Sequence, residues 1–383
     1  MKGKNKNYNH QAEIIRLAMK IAKEQMAPKA SESDRNGTFP WEAIRAIGEV
    51  EFPALVLSEQ EGGIGEGRGL FASVVQEIAK SCASTALIFT SHVVLVKAIE
   101  VSGNDSLKKK WLSDLSKCKA LGAVAVHEPD AGSNAGAIST QAIKDGDSYI
   151  INGSKFFITS GGEADVYLVL VRTDPEKGPN GMSTLLVEKD TPGLSFGQSE
   201  EKMGLRSTSS RKMFFKDCRI PVENLIGNEG EGLQVIGQSL IGWGFYGASA
   251  ISVGIAKAAL DKATTHARER TITGQPIGIH QGVQFLLSDM ILGSETAEAY
   301  LNACASKADA VPSTAALNGF KAKLYASEVA IEVTNKAIQV MGGHGYCRDY
   351  SVERFFRDAR GLTLHFKTSE LLKQDIAKAA LKL

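Results

Sequence analysis

The spacing of apolar and polar positions divides this chain into three stretches. From residue 10 to about 120, apolar residues recur three and four apart, the period of an amphipathic helix. AEIIRLAMKIAKEQMAPKA shows it first and is expected to end at its proline, Pro28. Trp41 to Ile47 opens a second helix, GRGLFASVVQEIAKSCAST a longer buried one, and EQEGGIGEGRG between them is glycine-rich turn material. A further run, Ala86 to Val101, carries Thr90, Ser91 and His92 within an apolar face.

Near residue 122 the period shortens. AVAVHEPDAGSN, DSYIINGSKFFITSG, ADVYLVLVRTD, STLLVEKD and KMFFKDCRI are short β-branched and aromatic runs broken by turn residues. Asp145-Gly146 and Asn152-Gly153 have hairpin-turn composition. After Gly230-Glu231-Gly232 the helical period returns, in LQVIGQSLIGWGFYGASAISVGIAKAALDKATTHARER and three later segments of bundle-like length. The order predicts an α+β protein with a helical domain over 1–121, a β domain over 122–228 and a C-terminal helical bundle over 229–383. Without βαβ alternation a doubly wound dinucleotide fold is excluded.

Composition narrows the class. The chain has 383 residues with 44 basic and 43 acidic side chains, and the resulting net charge of +1 gives no footprint for nucleic acid. The polar start lacks a signal-peptide core, and no apolar run is read as approaching membrane-spanning length. The five cysteines are scattered without CxxC spacing, which points to reduced thiols in the cytoplasm and to no metal site.

Candidate chemistry concentrates in a few segments. Gln339 to Leu372 combines Gly342, Gly343 and Gly345 with Arg354, Arg357 and Arg360, then His365-Phe366-Lys367-Thr368. Such glycines permit close backbone approach to a ligand, and arginines suit phosphate or carboxylate. The loop His127 to Asn134 offers backbone amides and Ser133. In KFFITSGG, Phe157 and Thr159 stand two apart, so on a strand one covers a flat ring while the other donates to it.

Taken jointly, EPDAGSN, NGSKFFITSGGEAD, EKMGLRS, IGNEGEGLQV, RER with a later HQ, QVMGGHGY and ERFFRDAR, in this order and spacing, resemble the acyl-CoA dehydrogenase family of flavoproteins. The resemblance implies an N-terminal helical domain, a middle β domain and a C-terminal four-helix bundle, assembled as a homotetramer of two dimers. It implies bound FAD, an acyl-CoA substrate and electron-transfer flavoprotein as the electron acceptor. Carried over by motif, Val126, His127 and Ser133 border the flavin or CoA, and Phe157 and Thr159 flank the isoalloxazine. Arg270, Gln281, Gln339, Gly342 and Gly343 hold the diphosphate and adenine across the dimer, and Thr368 touches the flavin.

The chain departs from the family pattern at four places. His127 stands where the family commonly has Thr, and Thr273 where it commonly has Phe. The helix after Gly232, which in the family carries Asp-x-x-Arg, reads Leu240-Ile241-Gly242-Trp243-Gly244-Phe245. The family's proton-abstracting carboxylate sits either at the position of Phe366 or near Trp243 and Gly244, and neither is acidic here. The Phe366 backbone N–H remains available to polarise a thioester, and Ser91, His92, His365 and Glu370 are candidate replacement bases. Two alternatives stand beside dehydrogenation: a sulfinopropionyl-CoA desulfinase-like lyase, and a silent subunit of a heteromeric dehydrogenase.

Overall fold

The computed structural model describes residues 2–132 and 134–383; Ser133 lies outside the described residues. The chain begins with α1 (Lys2–Ile21), a π-helical turn over Ala22–Met26, and α2 (Ala27–Asn36). Pro28 therefore does not end the first helix. It falls in the first turn of α2, where its missing N–H costs least, and the widened turn before it makes the ring's entry possible. The helix stops instead at Gly37, whose φ of 65° supplies the left-handed cap.

Next come α3 (Trp41–Glu49), α4 (Arg68–Ser81), α5 (Ala83–Ser102) and α6 (Asp105–Ser116). Helix α5 is enclosed on every side, with Thr90 and His92 fully buried. It is long and apolar enough to cross a membrane, as is the continuous helix Gly232–Glu269. The expectation that no run reaches that length is thereby corrected. Both are core helices, with 83% and 94% of their apolar windows buried inside the protein.

The middle region is one mixed eight-stranded sheet. Its strands are β1 (Gly122–Ala125), β2 (Gln141–Asp145), β3 (Ser148–Ile158), β4 (Val166–Arg172), β5 (Met182–Glu188), β6 (Leu194–Ser199), β7 (Arg211–Pro221) and β8 (Leu225–Ile226). They lie in the order β6-β7-β3-β2-β4-β5-β8, with β1 parallel to β4. Asp145-Gly146 does turn between β2 and β3, but Asn152-Gly153 does not. It lies inside β3 at a register shift against β7, and a Cβ on Gly153 would stand 2.7 Å from Thr140 Cα.

The C-terminal helices are α7 (Gly232–Ile236), α8 (Phe245–Glu269), α9 (Gln281–Ala310), α10 (Ala315–Met341), α11 (Gly343–Tyr346), α12 (Val352–Leu364) and α13 (Ser369–Leu381). A π-helical segment over Gly237–Gly244 joins α7 to α8, and a hairpin of β9 (Thr271–Ile272) and β10 (Gln275–Pro276) precedes α9. Helix α10 packs on α8, α9 and α12, while α4 packs on α8, so both helical regions share one core.

Helix α12 ties the three regions together. Arg357 donates to both carboxylate oxygens of Asp34 on α2, at 3.0 and 2.6 Å, and to the Met203 carbonyl of the β region at 2.8 Å. Glu353, one turn earlier, takes two more of its hydrogens. The arginine does meet carboxylates, as the sequence suggested, but they belong to the protein itself. Asp358 accepts the Leu205 backbone N–H at 2.6 Å, and a Cβ at Gly204 would fall 2.3 Å from the Arg357 carbonyl. Only glycine allows that approach.

Asp358→Ala removes a buried acceptor and leaves the Leu205 amide unpaired, so a loss of about 1–3 kcal/mol is expected. Asp358→Asn, which keeps an acceptor oxygen, should lose less. Urea denaturation midpoints of the two variants check the order.

Candidate active site

A cavity of about 670 Å³ opens where the β region meets α5, the π-helical segment and the end of α12. Its walls include Ser91, Val126, His127, Phe157, Thr159, Leu240, His365 and Phe366. Phe157 and Thr159 share a wall, although not through regular pleating: β3 bulges between Lys155 and Ile158, and Phe157 takes φ 54°. The Phe157 ring stays 54% exposed, and the Thr159 hydroxyl makes no hydrogen bond to a described residue. Leu205 and Phe366, also in the wall, have φ of 51° and 59°. Bulky residues with positive φ are strained, and here they gather around one cavity.

Phe366 occupies the tip of the loop between α12 and α13. Its ring lies 5.8 Å from that of Phe245 and meets His365 edge-on at 4.4 Å. A Cβ built on Gly244 would be 3.4 Å from Phe366 Cζ and 3.0 Å from Leu240 Cδ1. The two positions at which the resemblance expects a carboxylate are thus spatial neighbours, and the phenyl ring fills the space between them. Behind the loop, Lys323 on α10 donates to the Lys367 carbonyl at 2.6 Å and to the Thr363 carbonyl at 3.3 Å. Burial pulls the Lys323 ammonium down to about 7.

The cavity's charge is mostly nitrogen-borne. Glu128 is committed: it accepts from Ser139 N at 2.6 Å, Ser139 Oγ at 2.8 Å, Thr140 N at 3.0 Å and Lys155 Nζ at 2.7 Å. Burial raises its pKa, but Lys155 and these donors outweigh burial and hold it at about 2. Burial brings Lys155 down to about 8, against the pull of Glu128, so the pair is ionised at neutral pH. His127 places Nε2 at 3.2 Å from the Phe366 carbonyl. Burial holds its pKa below the ordinary imidazole value, with the carbonyl opposing and Lys155 assisting. His365 is pushed to about 3 by burial and by His127, Lys323 and Lys202. Lys202 Nζ is buried with no partner among the described residues, and burial brings it to about 8.

The expected site residues separate into groups. Ser91, Val126, His127, Phe157, Thr159 and Phe366 line the cavity together. His92 does not, despite sitting beside Ser91. Its Nε2 faces the Leu115 carbonyl at 2.8 Å and its Nδ1 accepts from Gly122 N at 2.9 Å, so it pins α5 to the start of β1. Burial lowers it to about 4, and both nitrogens are occupied. Glu370 is likewise outside, exposed in the first turn of α13, where its own backbone amide and the Thr368 hydroxyl lower its pKa. Thr368 is half-buried at the N-cap position of α13. Arg270, Gln281, Gln339, Gly342 and Gly343 are all exposed, at the ends of α8, α9, α10 and α11, away from this cavity. The sequence reading passed over Lys202, Lys323 and the Glu128–Lys155 pair. Only the pair had a visible signal, an acid and a base flanking strands that otherwise read as apolar.

The three parts of the chain match the N-terminal (residues 9–119), middle (123–218) and C-terminal (230–381) domain models of acyl-CoA dehydrogenase. Isobutyryl-CoA dehydrogenase, mitochondrial, from Dictyostelium discoideum is 39% identical over 91% of this chain and 84% of its own. Butyryl-CoA dehydrogenase from Megasphaera elsdenii superposes with a TM-score of 0.93 at 33% identity, covering 97% of this chain and 98% of the other. A chain from the structure of the electron transferring flavoprotein of Acidaminococcus fermentans gives 0.94 at 34% identity, with coverages of 97% and 98%. The helical–β–helical fold and its cavity are those of an acyl-CoA-handling flavoprotein. The chain belongs to the acyl-CoA dehydrogenase family, FAD-dependent oxidoreductases that act on the CH–CH group of acyl-CoA thioesters.

The cavity fits that cofactor. The broad exposed face of Phe157 suits a flat ring, and the free Thr159 hydroxyl and orphaned Lys202 ammonium are donors suited to its heteroatoms. The ion pair beside it sets the next expectation. Lys155→Met strands the buried Glu128 charge and should cost about 3–5 kcal/mol at pH 7. In the folded protein Glu128 stays ionised down to about 2, against about 4.3 when unfolded. The wild type therefore loses that stabilisation as pH falls through this interval. Lys155→Met starts lower and should lose less, which denaturant melts at pH 7 and at acid pH will show.

Proposed function

We propose that this chain oxidises short acyl-CoA thioesters at Cα–Cβ, and the observation that carries this reading is the Phe366 amide. Its N–H donates to no described acceptor, while its side chain lines the cavity. That leaves one backbone donor positioned for a thioester carbonyl, whose polarisation acidifies the α-hydrogen. Bound FAD supplies the two-electron acceptance for the β-hydride. Around it, Phe157 covers the isoalloxazine, Thr159 donates to it, Val126 and His127 border it, and Thr368 approaches from the C-terminal loop. Ser91 lines the cavity as a polar group on α5, and its hydroxyl makes no hydrogen bond to a described residue.

We assign a short acyl chain to the part of the cavity lined by Leu87, Ser91 and Leu240, where the Phe366 ring packs toward Gly244 and Trp243 is buried edge-on against Phe71. The isobutyryl- and butyryl-CoA dehydrogenases it resembles point the same way. Arg270, Gln281, Gln339, Gly342 and Gly343 are assigned to the FAD diphosphate and adenine of a neighbouring subunit. Phe285, Leu292 and Tyr346, exposed at 62%, 62% and 82% on the same bundle, support burial in a homotetramer. Electron-transfer flavoprotein is the proposed acceptor, in keeping with the Acidaminococcus structure. Five unpaired cysteines support a cytoplasmic setting. Domain limits at 1–121, 122–228 and 229–383 accord with this arrangement.

Lys202 favours one second reading. An ammonium without a partner suits an acyl group carrying an anionic substituent, such as the sulfinate of a desulfinase substrate. Anaerobic bleaching of bound FAD by acetyl- to octanoyl-CoA decides between the two. Bleaching by butyryl- or isobutyryl-CoA is expected, whereas sulfite release from sulfinopropionyl-CoA without bleaching would favour the second reading. No response to any thioester would leave a silent subunit. Phe366→Glu should retain FAD, lose about 1 kcal/mol of half-buried aromatic stabilisation, and accelerate bleaching.

A further inference from the structure

Removing hydrogen from Cα and Cβ of a thioester requires a group that accepts the α-proton, and the cavity wall contains few. Glu128 is engaged by four donors. Arg357 spends its hydrogens on Asp34, Glu353 and Met203. Glu200 is half-buried and Glu201 exposed on the stretch after β6, and water around such carboxylates competes for the proton. Lys202, brought only to about 8, is mainly an ammonium at neutral pH and offers no lone pair. Two imidazoles remain, His127 and His365.

Their surroundings distinguish them. A carbonyl oxygen only accepts, so the 3.2 Å contact with the Phe366 carbonyl fixes the His127 proton on Nε2. Nδ1 then carries a lone pair, has no hydrogen bond to a described residue, and belongs to a side chain that lines the cavity. When Nδ1 takes a proton, the positive charge forms on a ring already donating to a carbonyl, which stabilises it. His365 has no such partner, and the cations Lys202 and Lys323 stand near it, so charging it is resisted. Around His127 the charged and titratable groups are Lys155 with its partner Glu128, His365, and beyond it Lys202 and Lys323.

We propose that His127, through Nδ1, is the catalytic base that takes the substrate's α-proton, with the Phe366 carbonyl orienting the ring. The assignment rests on the dehydrogenation reading above. In the step, the Cα–H bond breaks and its proton goes to Nδ1. The electron pair left on Cα becomes the second bond of Cα=Cβ, and the β-hydrogen departs with its own pair as hydride to the bound FAD. Phe366 then acts by its backbone alone: its N–H on the thioester, its carbonyl on the base.

The test follows proton removal separately from oxidation. Holoenzyme is incubated anaerobically with butyryl-CoA in deuterium oxide, and incorporation at Cα is read by mass spectrometry beside FAD content and bleaching. His127→Gln keeps an amide that can donate to the Phe366 carbonyl but has no basic nitrogen. It should lower exchange and bleaching, each normalised to bound FAD, by about 100-fold or more. The wild-type exchange rate should rise with pH to a plateau as the imidazolium loses its proton, and the variant should lack that limb. Adding Phe366→Glu to His127→Gln should restore exchange. Exchange in His127→Gln within about twofold of wild type overturns the assignment, as does loss of exchange only in His365→Gln or Glu200→Gln. If His127→Gln fails to retain FAD, Phe366→Glu in the wild-type background that leaves exchange dependent on the same acid limb, or a wild-type profile with no acid limb at any pH where the holoenzyme stays folded, overturns it instead. A wild type that neither exchanges nor bleaches with any thioester overturns the dehydrogenation reading itself. Bleaching that His127→Gln leaves intact overturns only the base.

Discussion

Everything at the cavity depends on how α12 is held, because the loop with His365 and Phe366 leaves its C-terminus. One guanidinium, Arg357, binds α2 and the β region at once through Asp34 and Met203. The neighbouring carboxylate, Asp358, receives a β-region amide. Two long charged side chains clamped in one geometry at the surface would gain little. Here the Arg357 and Asp34 side chains are only 18% and 12% exposed and the contact is bidentate, which makes it a device for position. The cost appears at Asp358, whose complete burial raises its pKa to about 6 even beside Arg354.

From that anchor the strain at the loop tip becomes intelligible. Phe366 adopts a left-handed backbone that would suit glycine or asparagine far better. It is held from several directions: Lys323 on the carbonyls behind it, His127 on its own carbonyl, the Phe245 ring against its side chain, and the Lys367–Asp375 ion pair beyond. Removing any one support leaves the others to retain the conformation. Gly244 is the complementary half of the arrangement, since a side chain there would press on Leu240, Val94 and Phe366 together.

Patterning made the fold legible because the regions differ in kind: helical spacing in α4, α9 and α10, short continuous apolar runs in β4 and β5, and alternation in β7. It failed where tertiary context overrode local chemistry. Pro28 continues a helix because a π turn accommodates it, and Asn152-Gly153 forms a bulge because Thr140 crowds the strand. His92 stood among the candidate bases by residue type and position alone, and its two nitrogens are taken by backbone atoms of α6 and β1, distant in sequence. Glu370 was one helical turn from Phe366 by count, but the N-cap at Thr368 turns it to solvent. Lys202 and Lys323 carried no signal, because nothing local marks a lysine that folding will bury.

The same burial links the missing carboxylate to the unusual bases around it. The phenyl ring at position 366 offers no countercharge, and burial shifts Lys202, Lys323 and His365 toward their neutral forms. His127, whose Nε2–H already rests on a fixed carbonyl, keeps a partner that compensates for becoming charged, as Lys323 does with the Lys367 and Thr363 carbonyls. A site rebuilt in this way exchanges an anionic base for a neutral one, and its proton is accepted with creation of charge where the carboxylate version would remove it. The carbonyl that holds the imidazole then matters as much as the imidazole itself.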